Sequence, residues 1–276
     1  MGNLNRKRLE EFGDLNGVPQ LYNYYLRIYL VVFYKLIGYH KLWIPALKKL
    51  LARTHKKTIL EYGSGSGDAL LLLSQELQEE SQEFHFLLSD ITPLPEFTQK
   101  INSQNLPHIR YIESSVNATQ PGQWGDLPGV FINSFHHFNP EQAQNILKTA
   151  ILNKGEILIL EYTRNTLLAM ILMFFGQPVI LLSLPFVVRL KDLPLMVLFT
   201  YLIPLFPLMF LWDGLVSCWR TYSPKEIENL VKNVDDSHSV QVKSYAKGSL
   251  LYPAGATAIW LSYENESPTM TSSGNS

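Results

Sequence analysis

The sequence predicts an α/β fold in which helices cover both faces of a mainly parallel β-sheet, with an apolar helical insertion added to it. Three observations support this prediction. Short apolar runs alternate with helix-like segments from residue 58 to residue 162, as in parallel sheets. A glycine-spaced turn at 63–67 follows the first apolar run. The segment 166–212 is almost entirely apolar and does not follow the alternation.

Five strands are predicted in the alternating region, each bounded by a turn or a helix signal. Their predicted bounds are 58–62, 84–89, 109–113, 130–133 and 156–162. One helix is predicted from Asp68 to about residue 78, and another after Asn139, which is a suitable cap before Pro140. A helix that begins with the capping box Ser223 to Glu226 precedes two closing strands, 241–246 and 257–263. One of these closing strands is expected to run antiparallel to the others.

This pattern divides the chain into four parts. Residues 1–57 form a polar tail and an amphipathic helical cap, and residues 58–165 and 213–263 form the α/β domain. Residues 166–212 are the apolar helical insertion, and residues 264–276 are a disordered tail. The aromatic segment 20–52 fits a cap that touches a bilayer surface and ordinary core packing equally well.

Composition excludes several functions. The net charge of −1 provides no basic surface for binding nucleic acid. The single cysteine, Cys218, excludes an internal disulfide and a multi-cysteine metal site, and no metal ligands are predicted elsewhere. The polar N-terminus does not resemble a secretory signal, so we expect a catalytic domain that faces the cytosol. The sequence leaves the oligomeric state open.

The turn after the first strand contains the pattern Glu61-x-Gly63-x-Gly65-x-Gly67. A nicotinamide-dinucleotide fingerprint would place its third glycine where Asp68 stands. The acidic residue before the turn, together with Asp90 at the end of strand two, resembles motif I of class I S-adenosylmethionine (SAM)-dependent methyltransferases. This resemblance implies a Rossmann-like fold, SAM as the cofactor, and methyl transfer as the reaction.

The resemblance also assigns roles to individual residues. Glu61 and the backbone around the three glycines would hold the methionine part of SAM, and Asp90 would accept hydrogen bonds from the ribose. The remaining contacts implied by the resemblance are the adenine with Ile91 and Asn117, and the sulfonium with Asn133 and Ser134. Asn117 departs from the family pattern, in which an acidic residue is common.

Two groups of residues are candidates for the chemistry and for substrate binding. His136 and His137 follow strand four and are the nearest candidates for a general base, although the pair would equally well fill the end of the strand. Asp213, Arg220 and Tyr222 follow the insertion and are candidates for substrate binding. Arg220 is a candidate partner for Asp213, because an unpaired carboxylate beside apolar residues is costly.

The insertion contains two apolar runs, each long enough to cross a bilayer, separated by the charged stretch 189–192. A transmembrane hairpin, a hairpin that dips into one leaflet, and a soluble lid are three alternatives. Prolines in the second run favour the last two. We favour membrane association, and hence a hydrophobic or amphiphilic acceptor such as a lipid; with a soluble lid the protein would be cytoplasmic.

The sequence therefore predicts a SAM-dependent methyltransferase that acts at or near a membrane. Two alternatives are an oxidoreductase that uses a nicotinamide dinucleotide and a non-catalytic membrane-associated module that keeps the methyltransferase fold.

Overall fold

A computed structural model describes residues 9–15, 17–77, 83–120, 122, 125–186, 188–234, 240–248 and 253–263. The predicted disordered tail, 264–276, and the first eight residues of the predicted polar tail lie outside this range. The centre of the fold is a seven-stranded sheet with the order β3-β2-β1-β4-β5-β7-β6. The strands are β1 (Thr58–Tyr62), β2 (His85–Ser89), β3 (Ile109–Tyr111), β4 (Gly129–Ile132), β5 (Ile157–Glu161), β6 (Val240–Lys247) and β7 (Ala256–Tyr263).

The first five strands are parallel, and β7 runs antiparallel to both β5 and β6. This confirms the predicted Rossmann-like parallel sheet with an antiparallel closing strand. The strand order reverses between β1 and β4, which are hydrogen-bonded neighbours with Glu61 opposite Val130. In open α/β sheets, ligands bind at the carboxyl ends of the strands beside such a reversal. The glycine turn after β1 lies at this point.

Both faces of the sheet are covered, because successive side chains of a buried strand point to opposite sides. In β1, Ile59 packs into one apolar cluster and Leu60 into the other. The second cluster receives α5 (Pro140–Leu152) and α9 (Pro224–Lys232). Each of these helices begins with a complete capping box, at Asn139 and Ser223. The sequence predicted the box at Ser223 but only a single cap at Asn139.

The first cluster contains the N-terminal helices α1 (Gln20–Ile37) and α2 (Ile44–Arg53), together with α3 (Asp68–Leu77) and α4 (Pro95–Asn102). Gly38, with φ 65°, ends α1, and the 3₁₀ turn Tyr39–Trp43 connects it to α2. Tyr22, Tyr25 and Tyr29 of α1 are buried. The aromatic segment is therefore packed in the core rather than presented to a bilayer.

The insertion is helical but is not a straight hairpin. It comprises α6 (Leu167–Ser183), α7 (Leu193–Val197), a π-turn (Leu198–Leu202) and α8 (Leu205–Arg220). Among the described residues, Leu167–Phe186 is long and apolar enough to cross a bilayer, whereas Leu190–Leu202 and Leu205–Arg220 meet at a 76° bend. The predicted boundary at residue 212 falls inside α8, whose last two turns continue into the α/β domain.

The outer surface of the insertion is strongly apolar. Phe186 and Leu190 are 87% and 86% exposed, and they lie at the turn between α6 and α7. Other large apolar side chains exposed in this region are Leu167, Phe174, Phe175, Leu182, Leu202 and Leu208. Large apolar side chains are therefore exposed along the length of the insertion.

Candidate functional site

The glycine turn adopts a backbone conformation that side chains would not permit. Gly63, Gly65 and Gly67 have φ of 68°, 58° and 76°. A Cβ at Gly63 would lie 2.7 Å from Cβ of Ser134, and one at Gly67 would lie 2.7 Å from Cδ2 of Leu88. Gly65 instead faces open space, with only Nε of Arg27 at 4.0 Å from such a Cβ. Two glycines are therefore required for packing, and the third leaves room beside the backbone.

Hydrogen bonds to β2 hold the turn in place. The Ser64 amide donates to the carbonyl of Ser89 at 2.8 Å, and the Ser89 hydroxyl donates to the carbonyl of Glu61 at 2.7 Å. The Ser89 amide donates to the hydroxyl of Ser64 at 3.0 Å. This network makes the turn a preorganised part of the sheet edge.

Glu61 has the most perturbed environment among the predicted cofactor residues. Its side chain is 1% exposed, and Oε2 has no hydrogen-bond partner among the described residues. Burial raises the pKa of this carboxyl to about 8. The nearby charge of Asp90 also raises the pKa, whereas a hydrogen bond from Ser64 lowers it. An unpaired buried carboxyl is costly for the fold and is typical of a ligand-binding site.

Asp90 directly follows β2 and lies beside the turn. Its carboxylate accepts hydrogen bonds from the amides of Gly65 at 2.9 Å and Thr92 at 2.8 Å. Arg27 of α1 reaches the same position, with Nη2 3.6 Å from Oδ2 of Asp90. The next residue, Ile91, is 61% exposed and is available to pack against a ligand.

The residues after β4 connect the sheet edge to α1. Asn133 has φ 49°, accepts a hydrogen bond from the Tyr162 amide at 2.8 Å and donates to the hydroxyl of Tyr34 at 2.7 Å. The Ser134 hydroxyl donates to the carbonyl of Tyr62 at 2.8 Å. Ser134 thus lies against Gly63 of the glycine turn, and the contact of Asn133 and Ser134 with the sulfonium stays a prediction.

Asn117 lies after β3, where its Oδ1 accepts hydrogen bonds from the amide and hydroxyl of Thr119 at 2.9 and 2.8 Å. It therefore stabilises its own turn. Its contact with adenine stays a prediction.

Both histidines contact carboxylates. Nδ1 of His136 lies 2.9 Å from Oε2 of Glu161, and Nδ1 of His137 lies 2.9 Å from Oδ1 of Asp14. The Nε2 atoms of both rings face Glu11, at 3.7 and 3.9 Å. The two rings lie side by side with centroids 4.4 Å apart. Their role as a general base stays a prediction.

Charge in this group shifts two pKa values strongly. Burial lowers the pKa of His137, but the carboxylates of Glu11 and Asp14 outweigh it and raise the pKa to about 9. Burial raises the pKa of Asp14, whereas His137 and Arg220 outweigh it and hold that pKa well below its usual range. His137 and Asp14 therefore form an ion pair near neutral pH, with the imidazole protonated and the carboxyl ionised.

The three predicted substrate residues have internal partners. Asp213 accepts hydrogen bonds from the amides of Phe12 and Gly13 and from the hydroxyl of Tyr22, the last at 2.7 Å. The structure thus gives Asp213 partners other than the predicted Arg220.

Arg220 instead forms an ion pair with Asp14 at 2.6 Å and donates to the carbonyls of His136 and His137. The Tyr222 hydroxyl donates to the carbonyl of Phe138 at 2.9 Å. These bonds join the end of α8 to the loop after β4, and substrate binding by Asp213, Arg220 and Tyr222 stays a prediction.

Sequence reasoning missed the contribution of the N-terminal segment. Glu11 and Asp14 were assigned to a polar tail, yet both contact the loop after β4, and Arg27 and Tyr34 reach the cofactor residues. One signal was available in the sequence. Arg27 lies inside the aromatic segment 20–52, and a charged residue that becomes buried there needs a polar partner elsewhere in the chain.

A cavity also lies at the amino ends of the strands, lined in part by Thr58, Phe86 and Ile109. It is at the opposite edge of the sheet from the glycine turn. Because the polar groups described above converge at the carboxyl edge, that edge is the candidate site.

No protein-family model and no curated protein matches the sequence. Solved structures with a similar fold include the plantazolicin methyltransferase BpumL in complex with SAH, at 12% identity over 88% of this chain and 84% of that chain, with a TM-score of 0.47. A SAM-dependent methyltransferase from Aquifex aeolicus is 13% identical over 79% of this chain and 88% of that one, with a TM-score of 0.43. The CurJ carbon methyltransferase is 13% identical over 82% of this chain and 54% of that one, with a TM-score of 0.48. The fold assignment rests on the strand order of this chain itself.

Proposed function

We propose that the protein is a SAM-dependent methyltransferase that acts on a hydrophobic or amphiphilic acceptor at a membrane surface. The observation that supports this most directly is the buried Glu61 carboxyl, whose Oε2 has no partner among the described residues, beside an open glycine turn at the strand-order reversal. A ligand fits this position if its ammonium group lies opposite the Glu61 carboxyl while the rest of the ligand lies against the open backbone of the turn. The amino-acid end of SAM carries such an ammonium group.

The residues present fit the rest of the cofactor. Asp90 would hold the ribose hydroxyls, as a carboxylate at the end of the second strand does in nucleotide-binding α/β folds. The exposed Ile91 would pack on the adenine near Asn117, and Asn133 and Ser134 would lie near the sulfur. When bound, SAM supplies a methyl group activated by the adjacent positive sulfur. The chain supplies position and exclusion of water.

A nicotinamide dinucleotide fits less well. The position that needs a glycine in that fingerprint is Asp68, which is 5% exposed and forms an ion pair with Lys100 at 2.8 Å. Glu61 would also place a carboxyl close to a pyrophosphate, which is unfavourable. The antiparallel β7 between β5 and β6 further departs from the usual dinucleotide-binding strand order.

The exposed apolar surface of the insertion supports membrane association. A 76° bend between the π-turn and α8 makes this half a poor straight span, and α8 ends inside the α/β domain. The chain would therefore rest on one leaflet, from the cytosolic side, with Phe186 and Leu190 inserted among the lipids. An acceptor in the bilayer would then reach the carboxyl edge of the sheet without crossing water.

A methyl-transfer assay tests the reaction. The protein is incubated with SAM carrying a labelled methyl group and with total lipid and total protein extracts. We expect label in the lipid fraction. Label in the protein fraction alone would contradict the proposed acceptor class, and SAM binding without transfer would favour the non-catalytic module. Tight binding of a nicotinamide dinucleotide instead of SAM would favour the oxidoreductase.

Vesicle flotation tests the membrane contact. The double variant Phe186→Ser, Leu190→Ser removes two apolar side chains that are 87% and 86% exposed, and we expect partitioning to fall at least about tenfold. Leu152→Ser is the matched control, because Leu152 is 71% exposed on α5, outside the insertion. Equal flotation of the double variant and the control would show that the insertion is a soluble lid.

A further inference from the structure

Three side chains from two distant parts of the chain converge beside the carboxyl edge of the sheet. Glu11 comes from the N-terminal segment, and His136 and His137 come from the loop after β4. One ligand atom from each of the three lies within 4.8 Å of the other two. Glu11 and His136 are 3% and 4% exposed, whereas the His137 side chain is 36% exposed. The group is thus buried on one side and reachable from solvent on the other.

Both imidazoles are oriented in the same way. Nδ1 of His136 faces Glu161 and Nδ1 of His137 faces Asp14, each at 2.9 Å. When a metal ion displaces the proton on Nε2, Nδ1–H still donates to the carboxylate and Nε2 supplies its lone pair to the metal. Both Nε2 atoms face the Glu11 carboxylate. A carboxylate behind each histidine is the arrangement that holds metal-binding imidazoles in proteins.

Charge around the group favours a cation. Three carboxylates, those of Glu11, Asp14 and Glu161, surround the two rings, and Arg220 is the guanidinium that faces them. Arg220 lies on the Oε1 side of Glu11, where Ser217 also donates a hydrogen bond at 3.0 Å. Oε2 of Glu11 faces His137. The three carboxylates outnumber the one guanidinium, so the group favours an added positive charge.

We propose that Glu11, His136 and His137 bind a divalent first-row transition-metal ion, with Zn²⁺ as the representative ion. Two imidazole nitrogens and one carboxylate are a donor set that Zn²⁺ uses with a fourth, open position. In a tetrahedral zinc site with bonds of about 2.0–2.1 Å, the donor atoms lie about 3.3 Å from one another. The two Nε2 atoms lie 3.7 and 3.9 Å from the Glu11 carboxylate, so each must approach it by about 0.5 Å. Rotation of side chains supplies such a movement.

The ion would fasten the N-terminal segment to the loop after β4. Glu11 belongs to a segment whose Phe12 and Gly13 amides also bind Asp213 of α8. One metal would thus connect the segment before α1, the sheet edge and the insertion. With both Nε2 atoms coordinated, neither histidine would be a free general base, so this inference competes with that predicted role. It does not depend on SAM binding or methyl transfer, because neither histidine is assigned to the cofactor.

Zinc binding to the full-length chain tests the inference. The protein is stripped with a chelator and titrated with Zn²⁺ against a competing zinc indicator, and bound metal is counted by elemental analysis. We expect one Zn²⁺ per chain. The ligand variants Glu11→Gln and His137→Asn should each weaken binding by at least about 100-fold, and Glu161→Gln, which orients His136, by about 10- to 100-fold. His85→Asn, at an exposed histidine on β2, is the matched control and should bind as the wild type does.

Two further measurements keep the result interpretable. Circular dichroism establishes that each variant is folded, and Glu11→Gln keeps the size and hydrogen-bonding capacity of the side chain. Co²⁺ in place of Zn²⁺ should give visible absorption bands that His137→Asn removes. Failure of the wild-type chain to retain Zn²⁺, or equal binding by Glu11→Gln and the wild type, would overturn the proposal and leave the group as a network of contacts between the imidazoles and the carboxylates.

Discussion

Replacement of Glu61 by glutamine should stabilise the protein and impair cofactor binding at the same time. Glutamine has nearly the same shape and keeps a hydrogen-bond acceptor for Ser64, but it cannot ionise. The carboxyl of Glu61 is buried, and its pKa is raised to about 8 from an ordinary 4.5. A carboxyl whose pKa is higher in the folded state destabilises the fold, by nothing below pH 4.5 and increasingly as pH rises towards 8.

The size of the effect follows from that difference in pKa. Full ionisation of the buried carboxyl costs about 5 kcal/mol, of which about 3 kcal/mol is already present at pH 7. Glu61→Gln should therefore raise the free energy of unfolding of the ligand-free protein by about 3 kcal/mol at pH 7, and by very little near pH 4.5. Binding of SAM would need the ionised carboxylate opposite its ammonium group. The variant should thus lose about 10- to 100-fold in SAM affinity.

Urea denaturation at several pH values and calorimetric titration with SAM measure the two effects. Wild-type affinity for SAM should rise with pH up to about 8, because binding releases the proton of Glu61, and the variant should show no such rise. Glu156→Gln is the matched control: Glu156 has an unpartnered Oε2 and a raised pKa, caused first by burial, but it lies at the opposite edge of the sheet. A Glu61→Gln protein that is less stable than the wild type, or that binds SAM equally tightly, would refute the reasoning.

Three other predictions concern the same edge of the sheet. Gly63→Ala should lower the free energy of unfolding by about 2–4 kcal/mol, since it combines a left-handed backbone with a clash against Ser134, as measured by urea denaturation. Asp90→Asn should weaken SAM binding by about 10- to 100-fold in calorimetry, because it removes a charged hydrogen-bond acceptor. The raised pKa of His137 provides stability that is fully present below its ordinary pKa and is lost as pH rises through about 9. His137→Gln should therefore remove about 1 kcal/mol of the decline in stability on the alkaline side in chelator-containing buffer, a value reduced for the partial exposure of the ring.

Each of these three predictions has a control. Gly17→Ala shares the positive φ, at 92°, but a Cβ there meets nothing within 4 Å, so it should cost only about 1 kcal/mol. An equal loss at both glycines would exclude the clash as the cause. Asp126→Asn removes an exposed carboxylate bound to Lys56 and should leave SAM affinity unchanged. Identical alkaline profiles for His137→Gln and wild type would contradict the assigned ion pairs.

Much of the fold was predictable because its signals are local. The strand β1 and the turn after it follow from an apolar run, an acidic residue and three glycines within ten positions. The predicted cap Asn139 is next to Pro140, and the predicted capping box joins Ser223 to Glu226, three positions on. By contrast, the predicted segment 20–52 did not separate α1 from α2. The break depends on Gly38, a single left-handed residue in an otherwise helical pattern.

Residues of the candidate site were predicted only where the pattern of a single short segment indicates them. Glu61 and Asp90 were found because each ends a strand. Arg27, Tyr34 and Glu11 were not predicted as site residues. Their partners, Asp90, Asn133 and the two histidines, lie in the loops after β2 and β4, remote from them along the chain.

The sequence by itself determined the alternation of strands and helices, the open glycine turn and the long apolar insertion, because each depends on the spacing of residues along a short stretch. Only the tertiary structure decided that Glu61 keeps an unpaired oxygen, that α1 is packed in the core, and that an apparently polar N-terminal segment supplies Glu11 to two histidines. Those properties depend on distances between residues far apart in sequence, and such distances exist only after the chain has folded.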